Sequence, residues 1–167
     1  MKVLEGRAWV FGDDVNTDVM APGLYFKSSM AEMARHCLEA INPDFAATVR
    51  PGDIVVAGRN FGVGSAREQA AMALTHLGVA AVLAGSYGRI FYRNALNFGL
   101  PALVFPAVAT VQAGDLLRID PVAGRIENAR TGAVHTVNGI PAHLMAMVEA
   151  GGLMPWLRIR LQKDTVP

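Results

Sequence analysis

The stretch "DIVVAGRNFGVGSAREQAAMALTHLGVAAVLAGS", residues 53–86, alternates apolar runs, glycine punctuation and one helical face. "IVVA", from Ile54 to Ala57, is apolar without alternation, the pattern of a short strand buried on both faces. Beyond the glycine-bearing loop, Ala70, Ala73, Leu74 and Leu77 fall on one side of a helix that Gly78 ends. "AAVLAGS" is a second buried parallel strand, "YGRIFYRNALNFG" a helix ending at Gly99, and "LPALVFP" a further short strand. Strand and helix alternating from Asp53 to Phe105 imply right-handed crossovers and parallel strands.

Outward from this centre the texture changes. "KVLEGRAWVFG" alternates as a strand and runs into "DDVNTDVMAPG", a long polar loop. "SSMAEMARHCLEAI" predicts a helix, with Ser28 or Ser29 as N-cap and Glu32 in capping-box range of Ser29. "NPDFAATVRPGD" connects it to the central stretch. On the far side, "DLLRIDPVAGRIENARTGAVHTV" reads as short strands joined by Gly-containing turns, hence antiparallel. "PAHLMAMVEAGG" predicts a helix with Pro141 near its first turn. Residues 1–167 show no repeat or linker, so the expectation is a single α/β domain with a partly parallel sheet and a β-rich C-terminal part.

Composition removes whole classes of function. Hydrophobic residues at 52% against 17% charged describe a packed core, and that apolar excess hints at a surface covered by a partner. A net charge of +1 with no basic stripe argues against nucleic acid. The N-terminus has no secretory pattern and no apolar run is long enough to span a bilayer, which predicts a cytoplasmic protein. One cysteine, Cys37, allows neither an intrachain disulfide nor a cluster on this chain's thiolates. His36, His76, His135 and His143 lack ligand spacing, and Asp13, Asp14 and Asp18 lack the calcium-loop pattern, so no metal site is expected.

Chemistry concentrates in "FGVGSARE", at the carboxyl end of a parallel strand, where open α/β sheets bind ligands. Gly62 and Gly64 let the backbone turn and approach a bound group, and the N–H groups opening the next helix face outward. Arg67 adds a planar fork suited to a carboxylate or phosphate. Ser65 fits S-x-x-E with Glu68, so it caps the helix, presents a hydroxyl to a ligand, or does both in turn. The dinucleotide fingerprint fails at Arg67, no Walker lysine follows, and the nucleophile-elbow order is absent.

"FGDDVNTDVMAPGLYF", "GRNFGVGSAREQA", "SYGRIFYRNALNFGLP" and "EAGGLMPWL", in this order, resemble the small subunits of 3-isopropylmalate dehydratases, the swivelling β/β/α domain of the aconitase superfamily. The resemblance covers nearly the whole chain. It implies a heteromeric hydro-lyase, inactive without a large subunit that carries a [4Fe–4S] cluster, and acting on a small hydroxy dicarboxylic acid, with leucine biosynthesis as the default pathway. It implies Ser65 as the base and Arg67 as the holder of a substrate carboxylate, with Gly64 and Ala66 beside them and no cofactor bound by this chain. The family's loop carries G-S-S-R-E-H, whereas Ala66 and Gln69 stand here for its second serine and its histidine. Lys27 and Ser28 in "YFKS" occupy the family's specificity positions. A cation there suits an extra carboxylate, as in homoaconitate, or a compact dicarboxylate of the maleate, citraconate or dimethylmaleate kind. A non-catalytic module that kept the fold would be expected to lose Ser65 or Arg67, and both are present.

Overall fold

Two runs without alternation, Ile54–Ala57 and Ala81–Ala84, form strands β2 and β3, and every residue of both is buried. The computed structural model describes residues 2–164. β1 (Leu4–Val10) lies at the middle of a seven-stranded sheet of order β4-β3-β2-β1-β5-β6-β7. On one side β1, β2, β3 and β4 (Ala102–Val104) are mutually parallel, with Trp9 opposite Val55 and Val55 opposite Val82. On the other side β5 (Leu116–Asp120), β6 (Arg125–Asn128) and β7 (Val134–Thr136) form an antiparallel meander. The rings of Phe105, just past β4, and His135, in β7, are 5.2 Å apart, so the sheet curls until its edges meet.

The two-residue period of the buried strands divides the core. Val55, Ala57, Val82 and Ala84 face one cluster, shared with Met33, Phe45, Leu74 and Phe91. Ile54, Val56, Ala81 and Leu83 face the other, shared with Leu117, Ile119, Ile126 and Met145. The helices follow from this arrangement. α4 (Glu68–His76) buries Ala70, Ala71, Ala73 and Leu74, as its periodicity requires. α5 (Arg89–Asn97) serves both clusters, through Phe91 and Ala95 on one face and Leu96 on the other. α6 (Ala142–Glu149) starts after Pro141 and covers the second cluster with Met145, Met147 and Val148.

Three sequence expectations need correction. The long polar loop and the connector each contain a one-turn helix, α1 (Thr17–Met20) and α3 (Phe45–Thr48), and the loop also holds a 3₁₀ turn at Gly23–Tyr25. The next helix, α2, spans only Met30–Arg35. Ser29 caps it, its Oγ accepting from Glu32 N at 3.1 Å, but Leu38 has φ +62° and gives its N–H to the Val19 carbonyl at 2.9 Å. That bond to a distant carbonyl, with Leu38 fully buried, stops the helix where periodicity alone would continue it. Finally, a C-terminal helix α7 (Leu153–Asp164) follows α6 directly. Among the described residues no helix is long and apolar enough to cross a membrane.

Candidate active site

Strands β1, β2 and β3 end on the same edge of the sheet, and the three loops that leave them are laced together. Gly58 N donates to the Gly12 carbonyl at 3.0 Å, and Asp14 N to the Arg59 carbonyl at 2.8 Å. Gly62 N reaches Val15 O at 2.7 Å, and Phe61 N reaches Ser86 O at 3.0 Å. The acidic residues of the first loop serve this lacing. Asp13 Oδ1 accepts from Arg59 N at 2.7 Å, and Asp14 Oδ1 accepts from the Asn60 amide at 2.8 Å. Their role is to join the first loop to the second, through partners 46 residues away.

Two glycines shape the reactive loop. Gly62, at φ +79°, packs so closely on Phe91 that a Cβ would overlap the Cβ and Cγ of that side chain. Gly64, at φ +109°, brings the backbone beside Thr17, where a Cβ would sit 3.2 Å from the Thr17 hydroxyl. Both positions favour glycine through their left-handed backbone, and at Gly62 the Phe91 side chain also leaves no room for a Cβ.

Ser65 does not cap the helix. α4 begins at Glu68 with Arg67 as its N-cap, and no side chain caps it. Ser65 is tied instead to Thr17, which is fully buried in α1. Thr17 Oγ1 lies 3.1 Å from the Ser65 carbonyl and 3.3 Å from the Ser65 hydroxyl, and its single proton serves one of them at a time. Ser65 O also accepts from Arg67 N at 2.8 Å. The cap reading failed because the competing partner comes from a different element. Ser65 is itself exposed, so its hydroxyl stays reachable by a ligand beside its Thr17 contact. The N–H groups of Ser65, Ala66, Glu68 and Gln69 have no partner among the described residues. They are donors for negative charge at the head of α4.

Arg67 is half-buried and held from three sides. Its guanidinium pairs with Asp18, donates to the Ala21 carbonyl at 3.3 Å, and lies 4.5 Å over the centre of the Phe26 ring. Gly64 and Ala66 flank Ser65 and are exposed. Lys27 and Ser28 are exposed too, but the structure does not bring them to Arg67; Phe26 is the residue of "YFKS" that touches it. Thr17, Asp18 and Phe26 escaped the sequence reading. Their one signal was position, in the polar loop after β1, which ends on the same edge as β2.

Phe26 owes its place to its neighbour. Tyr25 stacks on His36, centroids 3.7 Å apart and planes 5° from parallel. His36 is gripped by Glu39 at 2.6 Å and Glu32 at 3.2 Å. The Glu39 hydrogen bond leads in raising the His36 pKa above its ordinary value, against the opposing effect of burial.

An iron–sulfur cluster does not fit this chain. Cys37 is fully buried in the core, and burial pushes its thiol far above the usual range, away from the thiolate a ligand requires. No group of three potential metal ligands exists among the described residues.

Comparison with known proteins places the fold in a family. Residues 22–108 match the aconitase C-terminal domain family. The chain is 46% identical over 153 residues to a methanogen homoaconitase small subunit from Methanothermobacter thermautotrophicus, covering 91% of this chain and 89% of that protein. It is 45% identical over 157 residues to a 3-isopropylmalate dehydratase small subunit from Moorella thermoacetica, covering 93% and 95%. A crystal structure of 3-isopropylmalate dehydratase from Methanocaldococcus jannaschii superposes with a TM-score of 0.92 at 37% identity, over 98% of both chains.

Proposed function

The chain belongs to the aconitase C-terminal domain family and has the fold of its swivelling domain, and on that premise we propose that it is the small subunit of a heteromeric, cytoplasmic hydro-lyase of the 3-isopropylmalate dehydratase type. The observation that carries the reading is the rim itself. An exposed serine, four N–H groups without a partner among the described residues and a pre-positioned arginine stand within the five residues 65–69.

In this reading Arg67 engages one carboxylate of a hydroxy dicarboxylic acid with its planar fork. Ser65 Oγ takes the proton from the carbon beside a carboxylate. The C–H electron pair becomes the double bond as the hydroxyl on the neighbouring carbon departs, and rehydration runs the same balance backwards. Serine is a weak base in water. The free N–H groups at the head of α4 and the Arg67 charge lower the energy of its alkoxide. In this reading a large subunit carries the cluster, which the buried Cys37 thiol favours, and assistance to the departing hydroxyl is that partner's part.

The decisive experiment is anaerobic reconstitution with the large subunit, followed by the absorbance of the unsaturated intermediate. Wild type turns over, whereas Ser65→Ala loses turnover by about a thousandfold or more while still folding and assembling, the scale of losing an essential catalytic group. Near-full kcat in that variant removes Ser65 from the role of base.

A second reading keeps the chemistry and changes the acid. Lys27, an exposed cation beside Phe26, and the 46% identity to a homoaconitase small subunit favour a substrate with a third carboxylate. A panel of isopropylmalate, homocitrate, malate and citramalate separates the two readings. If the lysine faces substrate, Lys27→Val lowers kcat/KM about tenfold for the tricarboxylate, the order of one charged hydrogen bond, and leaves isopropylmalate unchanged. Equal effects on both place the lysine in solvent.

A further inference from the structure

An open groove of about 580 Å³ runs between α5 and α6, and its lining does not include Ser65. Its floor is Leu96, Leu144 and Met147, Val104 opens its end, and Arg89 and Arg93 form its rim. The two arginines sit one turn apart on α5, are exposed, and have no carboxylate partner among the described residues; α5 itself contains no acid. Like charges at this spacing oppose helix stability slightly, and here nothing within the described chain offsets them. The meander behaves differently: Arg118, Arg125 and Arg130 each meet a carboxylate, Glu5, Glu127 and Asp115. Apolar surface continues past the groove, with Ile90 48% and Val104 46% exposed.

The groove is physically continuous with the reactive rim. Ser86 and Tyr87 line one end of it. Ser86 Oγ also accepts from Asn60 N at 2.8 Å and Ser86 O from Phe61 N at 3.0 Å, while Tyr87 pairs with Phe61 in a parallel bridge. The Tyr87 hydroxyl, 2.8 Å from Leu103 O and 2.9 Å from Val82 O, fixes that segment to β3 and β4. A body covering Ser65 therefore reaches the groove without leaving the surface.

We propose that the α5–α6 groove docks an acidic, amphipathic segment of the large subunit, its carboxylates on Arg89 and Arg93 and its apolar side chains on Leu96, Leu144 and Met147. The inference rests on the small-subunit reading above. Charge selects this occupant over a second copy of the chain, because a two-fold contact through α5 sets the same arginines against each other.

The test measures the affinity of the intact chain for its cluster-loaded large subunit at about 50 and about 500 mM salt, which changes the screening length roughly threefold. R89E/R93E is expected to weaken association about tenfold at low salt and to flatten its salt dependence. Leu144→Glu is expected to weaken association at both salt concentrations. R89Q/R93Q, which removes charge without reversing it, is expected to lose the salt dependence and serves if the reversed pair misfolds. Affinity and salt dependence within twofold of wild type in the folded arginine variants overturn the proposal. So does concentration-dependent self-association of the free chain that these variants abolish, or inorganic phosphate occupying the arginines with no change in subunit affinity. A wild-type chain that binds no large subunit overturns the functional reading as well, whereas wild-type assembly with unaffected variants overturns the groove alone.

Discussion

Gly62 stands three residues before Ser65, and its backbone sets the direction in which the reactive loop leaves Phe61. Its φ of +79° lies in the left-handed region, and the space a side chain needs is filled by the Phe91 ring, itself 1% exposed. A methyl group must therefore bear backbone strain and overpacking together. Gly62→Ala is expected to destabilise the fold by about 3 kcal/mol, the combined scale of one strained residue and one overpacked contact. Urea denaturation reads it, and an unchanged midpoint places Phe91 elsewhere. Arg67, at the other end of the loop, is held by weak contacts that leave its fork available for the proposed role. Its pair with Asp18, whose side chain is 65% exposed, contributes about 0–1 kcal/mol as partly solvated pairs do. In the proposed reading a substrate carboxylate engaging the fork in bidentate geometry displaces that pair, while Phe26 keeps the guanidinium plane in place.

The 3₁₀ turn Gly23–Tyr25 and α2 act together, because the Tyr25–His36 stack and the Glu39–His36–Glu32 grip join them. The folded pKa of His36 is raised, so its contribution is full below the unfolded value of about 6.5 and disappears as pH climbs through the higher folded value. The stability difference between wild type and His36→Gln is accordingly larger at about pH 6 than at about pH 8, measured by urea titration at both. Arg35, which pairs with Glu32, is common to both proteins and drops out of the comparison. A difference that grows with pH contradicts the grip. This element also marks where sequence reading stopped. β2, β3 and the buried face of α4 were legible because burial imposes a pattern that adjacent residues display. Ser29 was legible as a cap because its partner, Glu32, is three residues away. Ser65 was misread as a cap because Thr17, its partner, lies 48 residues back. Leu38 ends α2 through a carbonyl on α1, which no residue type announces. α7 escaped because Met154, Leu157, Ile159 and Leu161 are exposed while only Leu153 and Trp156 pack on the core, which gives no clear periodic stripe. Ser65 and Arg67 were legible as neighbours on one loop, but the contact of Phe26 rather than Lys27 with Arg67 depends on the phase of a 3₁₀ turn.

At the scale of the molecule, the sheet divides labour across β1. The parallel half delivers three loops to the reactive edge, and the antiparallel half anchors β1 from the other side. Asp115 is the anchor. Its carbonyl accepts from Ala8 N on β1 at 2.8 Å. Its buried carboxylate accepts from Arg130 Nε at 2.5 Å, from the Asn128 amide at 2.7 Å and from Gln112 N at 2.9 Å. The Arg130 guanidinium, first among these, holds the carboxyl well below the usual carboxylate range. A depressed folded pKa contributes stability above the unfolded value of about 3.9 and loses it only as pH falls through the lower folded value. Arg130→Ala leaves the carboxylate buried with two neutral donors. Arg130 is 43% exposed, so screening discounts the pair, and the expected loss near neutral pH is about 2 kcal/mol, below the range for fully buried pairs. Acid unfolding of this variant should also begin at a higher pH than in wild type, read by circular dichroism. Turnover per assembled heteromer should stay at the wild-type value, because no loop of the reactive edge touches Arg130. Loss of turnover in the folded variant would show instead that the meander sets the geometry of the Ser65 rim through β1, and that the two halves are one mechanical unit.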